Sequence, residues 1–447
     1  MTTSPTTTDI PLLTRKGTPG PPARIVHLGL GAFHRSHQVW YTEHAGDAPE
    51  WGIASFTGRR PDAALTLAAQ DGLFTLVERG PEGDRFEVIG AITEAVDGAD
   101  TDRLNELLAA PSTAIVTLTV TEAVYEKREA DSPLARLVRG LAARRDAGTG
   151  PLAVVSCDNV AGNGEVARRA VLAIAEEHDG GPGDRAGLAE WIRANVSFVG
   201  TSVDRITPRT TAEDIAEVAA KCGYRDDSPV VAEPFANWIL SGSFPAGRPR
   251  WEDAGAQFVD EIEPFENRKL WLLNGAHSIM AYAGQLRGHE TVAEAVDDPA
   301  CRDAVEAYWE EAARHLTLPE LDVPAYREAL LERFSNPRIA HHLAQIAADG
   351  TTKLRMRAVP VFTAELAAGR SGVAAARMIA AWIDFVSVAV ARGDDFQDPQ
   401  KDDVVAAAGL EGRERTQALT ELVSPQLASD PIVVSRIDSL RGTLGVE

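Results

Sequence analysis

The stretch 258–278, FVDEIEPFENRKLWLLNGAHS, carries three polar side chains whose types suit proton chemistry: Lys269, Asn274 and His277. They fall at i, i+5 and i+8, which places them within an arc of roughly 140° on one α-helix at about 100° per residue. Their surroundings, LWLL and AHSIMAYA, are apolar. One reading is an amphipathic helix whose solvated stripe contains all three. The chemical reading is sharper. A lysine desolvated in an apolar pocket gives up its proton more easily and serves as a general base near neutral pH. An asparagine amide beside it donates to a developing alkoxide, and a histidine binds the substrate hydroxyl and fixes its geometry. These are the parts needed to oxidise a secondary alcohol without a metal.

A second asparagine, Asn159, follows the apolar run LAVVS in Ser156-Cys157-Asp158-Asn159. Ligands of open α/β sheets sit outside the carboxyl ends of strands, so a loop asparagine there is placed to be a second donor. Alone, Asp158-Asn159 is a turn signal. Asp204 in SVDRITP (202–208) stands at another strand end, as a substrate ligand or as the ion-pair partner of Arg205.

Near the N-terminus, VHLGLGAFHRSHQ (26–38) sets Gly29-x-Gly31 after an apolar run and before a helix-like stretch. That is the context of a dinucleotide-binding turn, with Gly29 for the tight turn and Gly31 for close approach to a pyrophosphate at a helix N-terminus. The third glycine of the fingerprint is replaced by His34, so the turn by itself fits a ligand-free βα connection equally well. After the next strand-like run the chain reads Ser55-Phe56-Thr57-Gly58-Arg59-Arg60, with Asp62 late. NAD enzymes carry an acidic residue there and NADP enzymes an arginine. The two arginines are either a 2′-phosphate site or a solvated basic loop.

These residues need elements to hold them. Arg24–Leu30, Ile53–Thr57, Ala114–Val120 and Leu152–Ser156 read as strands, the last two of the buried parallel kind. Phe74–Glu78 and Phe86–Ile92 flank PEGD like a hairpin. Thr101–Leu108 and Gly164–Glu177 read as helices, and the alternation implies βαβ units. After about Glu261 strand signals fade. Lys269–Tyr282, Ala300–His315, Pro324–Arg333, Arg338–Ala348 and Ala374–Arg392 all have helical texture. The expectation is a flexible arm (1–23), a Rossmann-type α/β domain with a parallel-rich sheet (24–262) and a mostly α-helical C-terminal domain (263–447).

Composition bounds the rest. The 447 residues are 44% hydrophobic and 25% charged, normal for a globular chain. A net charge of −22 argues against nucleic acid as a partner. The three cysteines, Cys157, Cys222 and Cys301, form no C-x-x-C pair, which argues against a disulfide framework and a zinc site. No apolar stretch approaching ~18 residues is evident, so no membrane span is expected. The Thr- and Pro-rich start lacks an apolar core for a signal peptide, and a cytoplasmic location is expected.

Taken together, GLGAFHRSHQ, TLTVTE (117–122), SCDNVAGNG (156–164), SVDRITP, EPFANWIL (233–240), PFENRKLWLLNGAHS and DGTTK (349–353) closely resemble the polyol-specific long-chain dehydrogenase/reductase family. They occur in the family's order over about residues 24–360. Its members include mannitol 2-dehydrogenase, arabinitol dehydrogenase, fructuronate (mannonate) and tagaturonate reductases, and mannitol-1-phosphate 5-dehydrogenase. The resemblance implies a zinc-independent enzyme transferring hydride between NAD(H) and a sugar-derived carbinol, with the arginines leaving NADP open. It implies Lys269 as general acid/base, Asn159 and Asn274 as oxyanion donors, and His277 as the substrate-orienting histidine. It places Gly29, Gly31, Ala32, Phe33, Arg35, Thr121 and Glu122 at the cofactor, with Phe33 and His34 starting the helix. Val203, Asp204 and Lys353 fall at substrate positions.

Two departures bear on substrate. Mannitol 2-dehydrogenases carry an arginine eight residues before the lysine, where this chain has Gln345, and Ser241-Gly242-Ser243-Phe244 stands where acidic residues are common. The run around Gln345 looks more like the hexuronate-reductase branch. The expected substrate is an open-chain polyol or aldonate, oxidised to a ketose or ketouronate. A phosphorylated polyol, or a nucleotide- or sugar-binding sensor on the same fold, is the alternative. An acidic or phosphorylated substrate needs a cation at its far end, for which Lys353, Arg355 and Arg357 are candidates. Oligomeric state is open.

Overall fold

Buried β-branched runs dominate the first half of the chain, and they set its architecture. The computed structural model describes residues 10–126, 129–179, 187–339 and 341–445. The chain divides into two compact units, Met1–Glu263 and Pro264–Glu447.

The strands of the first unit are β1 (Ala23–Leu28), β2 (Gly52–Phe56), β3 (Phe74–Gly80), β4 (Gly83–Ile89), β5 (Ile92–Val96), β6 (Ile115–Leu118), β7 (Leu152–Ser156), β8 (Val196–Asp204), β9 (Val230–Ala232), β10 (Asn237–Ser241) and β11 (Gln257–Phe258). Eight form one sheet in the order β11-β10-β8-β7-β6-β1-β2-β5. It is parallel except where β10 runs against β8. β1 pairs with both β2 and β6, so the strand order reverses at β1/β6, the switch point where ligands of such sheets bind. Alternation sends Val26, Leu28, Val116, Leu118 and Val154 to one helix-covered face, and Ile25, Ile115, Ala153 and Val155 to the other. With both faces covered, β2 and β7 are buried at every position.

The expected hairpin is shorter on its second side. β4 pairs with β3 only to Ile89, and after Gly90-Ala91 the chain joins the large sheet as β5. β3, β4 and β9 form a separate three-stranded sheet. Part of the expected flexible arm is also tied down. Leu13 donates its N–H to Arg225 O at 2.8 Å, and Arg15 anchors on Asp71 through its backbone N–H (3.0 Å) and Nε (2.9 Å).

Among the described residues of the second unit the regular elements are helices, joined by turns and loops, with one isolated bridge between Thr291 and His342. The helix Val373–Arg392 packs on Pro299–Ala313 and Pro431–Leu440. It corrects one sequence reading. At 20 residues it is long and apolar enough to cross a bilayer by length and composition. Ala375, Met378, Ile379, Trp382, Ile383 and Val386 are nonetheless buried inside the unit, as in the core helix of a globular domain. Of the expected helix Arg338–Ala348, residue 340 lies outside the described residues, and among the described ones only Leu343–Ala347 is helical.

Candidate active site

The glycine turn sits at the β1/β6 switch point. Gly29 has φ +115°, and a β-carbon on it would lie 2.0 Å from the Thr119 carbonyl oxygen, so no other residue fits. Gly31 is extended and caps a helix that runs from Ala32 to Glu43, one residue earlier than expected. A cavity of about 830 Å³ opens at the carboxyl ends of β1, β2 and β6. Gly29, Thr119, Thr121, Gly58 and Arg59 line it. A turn without side chains, a helix start and a cavity of this size fit a dinucleotide.

Among the residues expected at the cofactor, Gly29 and Thr121 line this cavity, whereas Gly31, Ala32, Phe33, Arg35 and Glu122 are not in its lining. Arg35 is buried. Its Nε donates to the Gly31 carbonyl (3.3 Å) and its Nη1 to Ser228 Oγ (2.9 Å), and burial pulls its pKa down to about 10. It braces the turn from behind.

His34, in the place of the third glycine, belongs to a buried polar layer. Its ring stacks on His27 with centroids 3.3 Å apart and planes 3° from parallel. Thr119 Oγ1 donates to the Gly29 carbonyl (2.9 Å), so it must accept from His27 Nε2 (3.0 Å). His27 Nδ1 then accepts from Thr117 Oγ1 at 2.8 Å. On the other ring, Ser55 donates to His34 Nε2 (3.0 Å), and His34 Nδ1 donates to Gln38 Oε1 (3.3 Å). Gln38 Nε2 donates to His37 Nδ1 (3.0 Å), and His37 Nε2 ends the chain on Asn237 O (3.0 Å). Burial holds both stacked imidazoles neutral and lowers the pKa of His27 to about 3. The signal in the sequence was a histidine inside the apolar run RIVHLGL; its partner Thr117 follows only from the β1/β6 register.

The ends of β6, β7 and β8 lie side by side. Asn159 is exposed in the loop after β7, and Val203 and Asp204 close β8. Asp158, unassigned from sequence, organises this corner. Its carboxylate accepts from the N–H groups of Val120 (3.2 Å) and Thr121 (2.9 Å) and from Tyr125 Oη (2.6 Å). Those bonds hold Thr121 at φ +73°, a strained conformation for a β-branched residue costing about 1–3 kcal/mol. Asn163 braces the same loop by donating to Asp158 O (2.8 Å) and Thr201 O (2.7 Å). The ion-pair partner of Arg205 is Glu78 at 2.7 Å rather than Asp204, and Arg205 also holds the Ser36 and Glu233 carbonyls.

In the second unit Lys269, Asn274 and His277 share one continuous helix (263–284), but it is not a uniform α-helix. Lys269–Leu273 is a π turn, and the Asn274 N–H reaches Lys269 O as well as Leu270 O. A π turn holds one more residue than an α turn and so removes about one ~100° step of rotation. Asn274 moves from about 140° to about 40° away from Lys269, and His277, three α residues on, comes to about −20°. The three side chains therefore span roughly 60° of the helix instead of 140°. Outside donors meet the carbonyls around this widened turn. Trp309 Nε1 donates to Leu272 O (2.8 Å), and Arg357 Nη1 donates to Asn274 O (3.1 Å) and Ser278 Oγ (2.9 Å). Close packing also shapes it, since a β-carbon on Gly275 would lie 2.5 Å from the Tyr308 ring.

Lys269 and Asn274 are half-buried and His277 is buried, with its Nε2 lacking a hydrogen-bond partner. The ring packs on Phe334 and His341. Burial pushes its pKa well down, and the charges of His341, Arg333, Arg357 and Lys353 push the same way. A neutral imidazole with a vacant nitrogen in a field of cations is suited to a hydroxyl-bearing anion. The three candidate cations separate here. Arg355 caps the helix Gly412–Val423 through Leu422 O (2.9 Å) and Val423 O (3.3 Å). Lys353 donates to Ile346 O (3.0 Å), and burial followed by the Arg357 charge lowers its pKa. Gln345 is exposed on its short helix.

Comparison with known proteins agrees across the chain. Residues 23–253 match the mannitol dehydrogenase Rossmann domain, and residues 261–440 match the mannitol dehydrogenase C-terminal domain. The chain is 38% identical over 435 residues to the D-mannonate oxidoreductase of Escherichia coli (strain K12), covering 90% of this chain and 88% of that one. Among solved structures it resembles a D-sorbitol dehydrogenase in substrate-free form, with a TM-score of 0.85, 28% identity, and coverage of 97% of this chain and 96% of that one. It also resembles Pseudomonas fluorescens mannitol 2-dehydrogenase in a ternary complex with NAD and D-mannitol, with a TM-score of 0.77, 32% identity, and coverage of 97% and 93%.

Proposed function

The chain belongs to the mannitol dehydrogenase family, and from that premise we propose that it is an NAD-dependent oxidoreductase interconverting a sugar-derived aldonate with its ketouronate, of the mannonate/fructuronate type. The observation that carries the choice of an acidic substrate is the set of charges on His277. Lys353, Arg357 and Arg333 all act on this buried ring in the same sense. A carboxylate at the far end of the substrate turns that field of like-signed charges into charge-assisted hydrogen bonds.

When bound, the nicotinamide supplies the hydride acceptor or donor. The chain's own residues handle the proton and the oxygen. Lys269 Nζ takes the carbinol proton during oxidation and returns it during reduction. Asn274, turned toward Lys269 by the π turn, donates its amide to the oxygen as charge develops there, and Asn159 is assigned the second donor. His277, held neutral, offers Nε2 to a substrate hydroxyl. The assignment of Lys269 rests on its place with these two residues on one helix face and on the family motif around it.

The test is a panel of NADH oxidation rates with fructuronate, tagaturonate, fructose and fructose 6-phosphate. A ketouronate is expected to exceed fructose by about 100-fold in kcat/KM, the scale of two charge-assisted hydrogen bonds. Lys353→Met should remove most of that preference while changing the fructose rate little. Fructose turned over better than either ketouronate would overturn the acidic-substrate reading.

A further inference from the structure

In dinucleotide sites of this kind the carboxyl end of β2 meets the adenosine ribose, where a carboxylate accepts from the 2′-hydroxyl or an arginine takes a 2′-phosphate. This chain has Thr57-Gly58-Arg59-Arg60 at that end. The Thr57 side chain is turned toward the end of β5, where its Oγ1 accepts from Gly98 N–H at 2.9 Å and donates to Asp97 at 3.5 Å. Asp97 is further held by the Ala99 N–H at 3.0 Å. Gly58 has no heavy atom within 4 Å of where a β-carbon would stand, so the position beside Thr57 is open.

Arginine surrounds that opening. Arg59, Arg136 and Arg139 line the same 830 Å³ cavity as Gly29 and Thr121. Arg136 comes from the helix Pro133–Asp146. Its guanidinium straps two strand ends together, donating to Gly58 O (3.0 Å) and to Gly98 O, while its Nε is buried without a partner. Burial and then the neighbouring Arg139 oppose its charge, and Asp131 and Asp97 support it. The acids in this lining are Glu129 and Asp131. Asp62, the late acidic residue of the loop, is paired with Arg60 at 3.6 Å, both of them largely exposed.

We propose that the β2 end is a 2′-phosphate subsite, so that the chain accepts a dinucleotide carrying an adenosine 2′-phosphate monoester as well as NAD. Arg136 is the cation fixed by the strand ends, and Arg59, exposed in the loop and lining the cavity, is the one that meets the phosphate. Arginine suits this role because its planar donor fork matches phosphate oxygens. Two crowded guanidinium groups also gain from an anion that offsets their repulsion. The inference rests on the dinucleotide reading of the glycine turn and is independent of the substrate.

Calorimetric titration of the full chain with 2′,5′-ADP, 5′-AMP, NADPH and NADH tests it without turnover. The subsite predicts that 2′,5′-ADP binds about tenfold or more tightly than 5′-AMP, with an advantage that shrinks as salt rises. Arg59→Ala should cut 2′,5′-ADP and NADPH affinity about tenfold and leave 5′-AMP and NADH unchanged. Gly58→Asp, which restores a carboxylate in open space, should weaken NADPH about 100-fold relative to NADH. If 5′-AMP binds as tightly as 2′,5′-ADP, or if Arg59→Ala weakens both alike, there is no such subsite. NADH binding with NADPH refused overturns the subsite alone; if neither dinucleotide binds, the cofactor reading falls with it.

Discussion

Lowering the pH should destabilise the N-terminal unit through the stacked pair His27 and His34. In the folded chain His27 titrates at about 3, against 6.5 for a solvated imidazole. Between those values the unfolded chain carries a proton that the folded chain refuses, so stability falls as pH falls. With no contribution at pH 8, the loss from His27 alone is about 2 kcal/mol at pH 5 and about 3 kcal/mol at pH 4. His34, also pushed well down by burial, adds in the same direction. Burial keeps either ring from charging cheaply, and the two cannot charge together, because imidazolium groups 3.3 Å apart repel by about 5 kcal/mol at an effective dielectric of ~20. A protonated His27 would also turn Nδ1 from an acceptor of the Thr117 hydroxyl into a donor. The assay is urea unfolding of the full chain from pH 8 to pH 4, wild type beside His27→Gln. The variant is less stable at pH 8, and the gap should close by about 1.4 kcal/mol per pH unit below pH 6. Parallel curves for the two proteins would show that His27 is not held neutral and would refute the reasoning.

Three further outcomes follow from the geometry. Gly29→Ala puts a methyl group into the Thr119 carbonyl at a φ of +115°, so it should cost upwards of about 2 kcal/mol and abolish NADH binding measured by fluorescence. Asp158→Asn replaces an acceptor of two backbone N–H groups and the Tyr125 hydroxyl by a side chain with one carbonyl; NADH should bind about tenfold more weakly, with faster amide exchange at Thr121. Lys269→Ala should cut kcat by about 10²- to 10⁴-fold with NADH affinity nearly unchanged, and near-normal turnover would refute the acid/base assignment.

Much of the fold was legible in the chain itself, because strands and helices are written as local periodicities. Apolar runs such as AIVTLTV and LAVVS signal strands covered on both faces, and the fading of such runs after Glu261 marks the start of the helical region. The glycine turn was legible as a strand–turn–helix, and the polar trio Lys269, Asn274 and His277 stood out from its apolar flanks. Local pattern misled where a neighbour decided the outcome. Residues 11–15 read as part of a loose arm, yet Asp71 and Arg225 pin them; the pattern Phe86–Ile92 is split between two sheets.

Contacts distant in sequence decided what the chemically important residues do. The sequence could not say why His34 replaces a glycine, since the answer is a ring stacked on His27 and a hydrogen-bonded chain ending on Asn237, 203 residues away. Nor could the ~140° arc of the trio be corrected from sequence. An α and a π turn accommodate the same residues, and the choice here goes with Trp309, Arg357 and Tyr308, which reach the turn from other helices. Residue type and spacing singled out candidate reacting groups, because side-chain chemistry is local. Their orientation and charge state belong to the folded chain, because contacts from other helices go with the register of the hydrogen-bond ladder, and burial moves an imidazole's pKa far below that of a solvated ring.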